Sequence, residues 1–167
     1  MADIPVICFV AAKSGTGKTT FLEKLIREMT SRGYELGVVK SDAHSFEIDV
    51  PGKDSWRFAQ AGAKATAIIG PDKYALIQKT DSKSDLEHVL PFIQGVDLIF
   101  VEGYKAANRP KIEIVRRERG TEIVSSLENL VAVVTDVKEL KVPVPLLDIN
   151  DYQGAADLIV DRFLTKK

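Results

Sequence analysis

Residues Ala12-Lys13-Ser14-Gly15-Thr16-Gly17-Lys18-Thr19 constrain this chain more than any other stretch. They follow the apolar run 4–11 and precede a segment in which Phe21, Leu22, Leu25, Ile26 and Met29 share one helical face. Strand, glycine loop and amphipathic helix in that order match the phosphate-binding P-loop, with alanine in its permissive first position. Each piece has a physical task. Gly15 and Gly17 let the backbone turn its N–H groups inward around phosphate oxygens, where side chains would obstruct. The helix opening near Lys18 adds free N–H groups and the positive end of its dipole. Lys18 brings a mobile cation to the β- and γ-phosphates, and the Thr19 hydroxyl ligates Mg²⁺. Thr20 reaches toward the α-phosphate. The whole loop, from Ala12 to Thr20, is therefore read as a cradle for a nucleoside triphosphate.

Beyond the loop, short β-branched runs alternate with helical stretches. That pattern predicts an α/β chain with the three-layer fold of P-loop NTPases, a mostly parallel sheet and one antiparallel hairpin. Strands are expected at 4–11, 36–40, 98–101, 130–134 and 144–147, and the hairpin at 65–69 and 74–78. Gly33 stops the first helix. Further helices are expected at 55–60, capped by Asp54 or Ser55, at 84–92 and at 152–164. The run Lys111-Ile112-Glu113-Ile114 alternates polar with apolar, which predicts one face in solvent. No linker breaks the pattern, so residues 1–167 are read as a single domain.

In an open parallel sheet, ligands sit beyond the carboxyl ends of the strands. Glu102 ends the run 98–101 and is expected to hold a Mg²⁺-bound water or orient the attacking one. Asp42, after the second strand, is a candidate for the same metal and catalytic site, or an ordinary turn aspartate. His44 nearby reads as structural or merely exposed. Asp136 follows the run 130–134, where a carboxylate can accept from the N1–H and N2–H₂ edge of guanine. Asp148 and Asn150 compete for that task. The segment 105–119 carries Lys105, Arg109, Lys111, Arg116, Arg117 and Arg119. These can bind phosphate or form a lid, but interleaved Glu113 and Glu118 favour a solvated hairpin.

A 45% apolar and 28% charged composition is that of an ordinary globular chain. The net charge of −1 counts against a general nucleic-acid binder. Cys8, the single cysteine, excludes an intramolecular disulfide and reads as a buried, inert thiol. No basic leader precedes the first run and no stretch approaches membrane-spanning length, so a cytoplasmic location without membrane association is expected.

The loop, the stretch Asp49-Val50-Pro51-Gly52-Lys53-Asp54-Ser55, Ala61-Gly62-Ala63, Asp97-Leu98-Ile99-Phe100-Val101-Glu102-Gly103-Tyr104-Lys105 and Leu146-Leu147-Asp148-Ile149-Asn150-Asp151 together resemble the molybdopterin-guanine dinucleotide biosynthesis protein B family. The resemblance covers nearly the whole chain. It implies a homodimeric GTP-binding accessory protein, at most a slow GTPase, using GTP and Mg²⁺. Such a protein assists a separate guanylyltransferase that joins GMP to molybdopterin. Guanine preference enters chiefly through this resemblance. Ser41 stands where the family usually has a histidine, while His44 matches its later histidine. Lys13 resembles the loop lysine of the MinD and nitrogenase iron protein group, which reaches the partner subunit's phosphates; the alternative is a surface lysine. The rival function is a small-molecule kinase with Arg116, Arg117 and Arg119 as lid, and no acceptor motif supports it.

Overall fold

The computed structural model describes residues 4–41, 44–82 and 84–164. Its contacts gather into two compact units, one of Met1–Ser41 with Ile93–Lys167 and one of Asp42–Phe92. In chain order, β1 (Val6–Val10), α1 (Lys18–Ser31) and β2 (Leu36–Lys40) open the larger unit. The smaller unit holds α2 (Asp54–Gln60), β3 (Ala65–Ile69), β4 (Tyr74–Gln78) and α3 (Leu86–Val89), which runs into a 3₁₀ turn at Leu90–Phe92. The larger unit resumes with β5 (Leu98–Glu102), β6 (Lys111–Val115) and a 3₁₀ turn at Arg117–Arg119. It ends with β7 (Leu130–Thr135), β8 (Leu146–Asp148) and α4 (Tyr152–Phe163).

Six strands form one sheet in the order β2-β5-β1-β6-β7-β8, with every pairing parallel. This sheet and the separate antiparallel β3–β4 pair give the α/β architecture that the alternation of elements predicts. After β1 the chain goes to β2, returns to β5 between them, then crosses to β6 on the other side of β1. In open α/β sheets ligands bind at such a reversal, and here the glycine loop follows the carboxyl end of β1 at that point.

β1 is buried along its whole length, which is why its sequence carries no polar alternation. Phe9 packs on Phe100 of β5 and Phe21 of α1, with ring centroids 5.0 and 6.5 Å apart. Helix α1 buries Phe21, Leu22, Leu25 and Met29 on the predicted face. Burial of each such side chain contributes about 1.5–3 kcal/mol, so the loop is anchored at both ends by core. Gly33, with φ +88°, ends α1 as expected. Ala155, Ala156 and Ile159 of α4 join the same core. Cys8 is free and fully buried, and burial raises its thiol pKa.

β6 overturns an expectation. All of its residues are buried, Lys111 and Glu113 included. Sheet order explains this, because β6 lies between β1 and β7 rather than at an edge. Its polar side chains are satisfied internally. Glu113 accepts from the backbone N–H groups of Val124 at 2.8 Å and Ser125 at 2.9 Å. Lys111 Nζ donates to the carbonyl of Ala107. The alternation therefore marks ties to flanking loops, and 105–119 is no solvated hairpin.

In the smaller unit, the β3–β4 hairpin pairs Ala65 with Gln78 through Ile69 with Tyr74, in the predicted positions. The expected cap of α2 is corrected. Lys53 is its N-cap and makes no side-chain capping bond, while Asp54 stands in the first turn. Ser55 instead donates to Asp49 Oδ1 at 2.9 Å, tying down the Val50-Pro51-Gly52 turn. The helix expected at 84–92 is a short α3, capped by Asp85, and the 3₁₀ turn that follows it. Among the described residues of this unit, Leu86 is the one buried apolar side chain. Phe46, Ile48, Phe58, Ile69, Tyr74 and Phe92 are each more than 60% exposed.

Candidate functional site

The carboxyl ends of β2, β5 and β1 meet at one point, because the parallel register sets Glu102 beside both Phe9 and Lys40. Glu102 Oε1 accepts from the Thr19 hydroxyl at 2.9 Å and pairs with Lys40 Nζ at 3.5 Å. The backbone is laced together there. Ser41 N–H donates to the Glu102 carbonyl, and Gly103 N–H donates to that of Phe9, both at 2.9 Å. A side chain on Gly103 would press on the Ser41 carbonyl at 3.2 Å. Tyr104, with φ 64°, is the one non-glycine residue with positive φ among those described. This tight turn brings Lys105 back to the loop, where its Nζ donates to the Ala12 carbonyl at 2.9 Å.

In the loop, Gly15 and Gly17 take φ of +71° and +88°, and Gly17 is the left-handed N-cap of α1. No side chain caps that helix end, so its N–H groups face the loop without a side-chain acceptor. Lys13, Ser14, Thr19 and Thr20 are exposed, and Ala12 and Lys18 partly so. Thr16 is buried, and its hydroxyl has no hydrogen-bond partner. Burial lowers the pKa of Lys18; Glu102 opposes the shift, and Lys105 and Lys40 add to it. A cationic group held under such conditions gains from a polyanion.

Among the described residues, no group of three or more His, Cys, Asp or Glu side chains could hold a metal by itself. Mg²⁺ does not require one, since it is commonly held by one or two protein oxygens, waters and substrate phosphates. The Thr19 hydroxyl and the Glu102 carboxylate supply such a hard-oxygen pair at the loop, so the residues present fit that ion. Asp42, the other expected carboxylate, lies outside the described residues.

The basic segment after β6, for which the sequence favours a solvated hairpin over a phosphate-binding cluster or lid, lies against the loop. A methyl group on Gly15 would meet Arg119 Nη2 at 3.0 Å, and one on Gly17 would meet Arg116 Nη1 at 3.6 Å. Two arginines thus lie against the loop glycines. Arg117, between them, pairs instead with Glu139 at 2.8 Å. Lys13 reaches toward Gly120, where a methyl group would lie 3.6 Å from its Nζ.

Asp136 follows β7 as expected. Its Oδ2 accepts from Arg116 Nε at 2.9 Å and its Oδ1 from the Arg117 N–H at 2.8 Å. Asp148 Oδ1 accepts from the Asn150 N–H at 2.9 Å. Asn150 borders a cleft of about 390 Å³ with Lys24, Arg27, Glu28 and Tyr152. No described helix is long and apolar enough to cross a membrane.

Sheet order, loop and strand-end acid together define the α/β fold of the P-loop NTPases. The chain belongs to the family described as MobB, molybdopterin guanine dinucleotide synthesis protein B, whose model matches residues 6–136. It is 40% identical over 167 residues to the molybdopterin-guanine dinucleotide biosynthesis adapter protein of Escherichia coli strain K12, covering 95% of this chain and 93% of that protein. The adapter protein of Haemophilus influenzae is 34% identical over 152 residues, covering 90% of this chain and 85% of its own. The crystal structure of Bacillus subtilis MobB superposes with a TM-score of 0.77 at 26% identity, over 98% of this chain and all of that one.

Proposed function

We propose that this chain is a GTP-binding adapter with weak GTPase activity in molybdopterin-guanine dinucleotide biosynthesis. It acts in the cytoplasm as a homodimer and assists a separate guanylyltransferase that joins GMP to molybdopterin. The observation that carries the reading is the Thr19–Glu102 contact of 2.9 Å at the mouth of the glycine loop, in a member of this family. In this reading the loop N–H groups and Lys18 hold the phosphates, while Thr19, Glu102 and Asp42 serve Mg²⁺, which neutralises phosphate charge when bound. Guanine is read by Asp136, Asp148 or Asn150. The exposed apolar side chains of the smaller unit, Phe58, Ile69 and Tyr74 among them, support a second copy, since a hairpin this small does not bury its own faces.

Calorimetry with GTP, GDP and ATP in Mg²⁺ tests the binding half, and Lys18→Ala should lose GTP. The adapter half predicts that the protein raises dinucleotide formation by the guanylyltransferase when GTP is limiting, because a docked nucleotide meets the partner at high effective concentration. Absence of stimulation at every GTP level, with rapid phosphoryl transfer to a metabolite, would reverse the ranking against the kinase.

A further inference from the structure

The cations around the glycine loop are poorly matched by acids. β1 and β6 are parallel neighbours with Val10 opposite Glu113, so the loop and the segment 116–120 leave the sheet at the same edge. That segment is folded back on itself. Arg116 bridges to Gly120, and the Arg119 N–H donates to the Arg116 carbonyl at 2.8 Å. The two guanidinium groups facing Gly15 and Gly17 differ in how they are held. Arg116 is fixed through Nε by Asp136, which leaves its Nη1 toward Gly17 outside that bond. Arg119 is exposed and has no acid partner among the described residues, and the same holds for Lys13. Like charges gathered at one mouth repel, and a polyanion relieves that repulsion. The planar fork of arginine suits phosphate oxygens in pairs.

We propose that Arg116 and Arg119 bind the phosphates of the nucleotide from their side of the loop, with Asp136 the positioning residue that holds Arg116 in place. The assignment rests on the reading of the loop as a triphosphate site. It moves guanine recognition to Asp148 or Asn150.

The test is calorimetric titration of the full chain and its variants with GTP, GDP, GMP and ATP in Mg²⁺. Arg116→Ala and Arg119→Ala should each weaken GTP about tenfold and GMP far less, since each removes a charge-assisted contact to phosphate. Arg117→Ala, which removes a side chain paired with Glu139, should bind as the parent does. Asp136→Ala should weaken GTP and ATP alike, and Arg116→Ala combined with Asp136→Ala should be no weaker than Arg116→Ala alone. Arg119 is exposed and holds nothing in place, so its variant tests the proposal even where Arg116→Ala unfolds. Full GTP affinity in Arg119→Ala beside a dead Lys18→Ala overturns the proposal and leaves the loop reading intact. Full affinity in Lys18→Ala removes the loop reading itself. An Asp136→Ala variant that loses only the preference of GTP over ATP returns the residue to base reading and overturns its positioning role.

Discussion

Lys105 Nζ hydrogen-bonds the carbonyl oxygen of Ala12, so the turn after β5 holds the first residue of the glycine loop. The bond stabilises loop shape rather than ligand charge. Lys105→Ala should therefore lower GTP affinity severalfold while leaving thermal stability close to that of the parent, and it should speed hydrogen exchange at the loop amides. Unchanged exchange at residues 13–17 would show that the loop keeps its shape without this lysine.

Lys18 supplies a pH test. Burial first, then Lys105 and Lys40, lower its pKa below the ordinary 10.5, against the pull of Glu102. A bound triphosphate favours the charged ammonium and pushes that pKa back up. Binding then takes up a proton wherever the free protein has begun to lose one. GTP affinity should fall as pH rises through the lowered Lys18 pKa, at a pH below the ordinary 10.5 and so earlier than an unperturbed lysine would allow. Titrations across that range check this, and an affinity flat to the ordinary lysine value would contradict it.

The Asp136–Arg116 pair has an acid signature. The Arg117 N–H, and after it the Arg116 guanidinium, hold the Asp136 carboxyl below its ordinary 3.8. Its native pKa thus lies below its unfolded one, so unfolding takes up a proton in that interval. The stabilisation is full above the unfolded value and is lost as pH falls through the lower native one. Asp136→Asn should reduce the melting temperature near neutrality and flatten its decline in acid. Parallel acid limbs for parent and variant would remove Asp136 from the account.

Glu113 carries a structural prediction. Its carboxylate is fully buried and accepts from two backbone N–H groups. Glu113→Ala leaves both donors without a partner, at a cost of about 2–4 kcal/mol. Denaturant unfolding measures it, and a loss below 1 kcal/mol on the order of surface substitutions would mean that water replaces the carboxylate.

Local signals carried β1, α1, β2 and the hairpin, because continuous apolar runs, an apolar helical face and a Gly-Pro-Asp turn are properties of adjacent residues. The positions of the loop and of Glu102 were legible for the same reason, the one following directly on β1 and the other ending β5. β6 was misread because its burial depends on sheet order, which places β1 and β7 on its two sides. The cap of α2 was misread because Ser55 is claimed by Asp49, six residues away, before it can serve its own helix. The sequence offers Arg116 and Arg119 as phosphate binders or a lid, but their place against the glycine loop was not legible, for a further reason. Arg116 and Arg119 lie about a hundred residues beyond Gly15 and Gly17, and only the parallel pairing of β1 with β6 brings them together.

That pairing also sets a timescale. The two loops are rooted on neighbouring strands of one ladder with Arg116 and Arg119 already against the loop glycines, so on the proposed reading arginine reaches phosphate without a backbone closure. On the same reading, entry and exit of nucleotide at this edge would require rotamer changes of exposed side chains, which occur in picoseconds to nanoseconds, and no lid motion of microseconds to milliseconds. Dissociation would then follow the combined strength of the phosphate and base contacts, with no lid to open first.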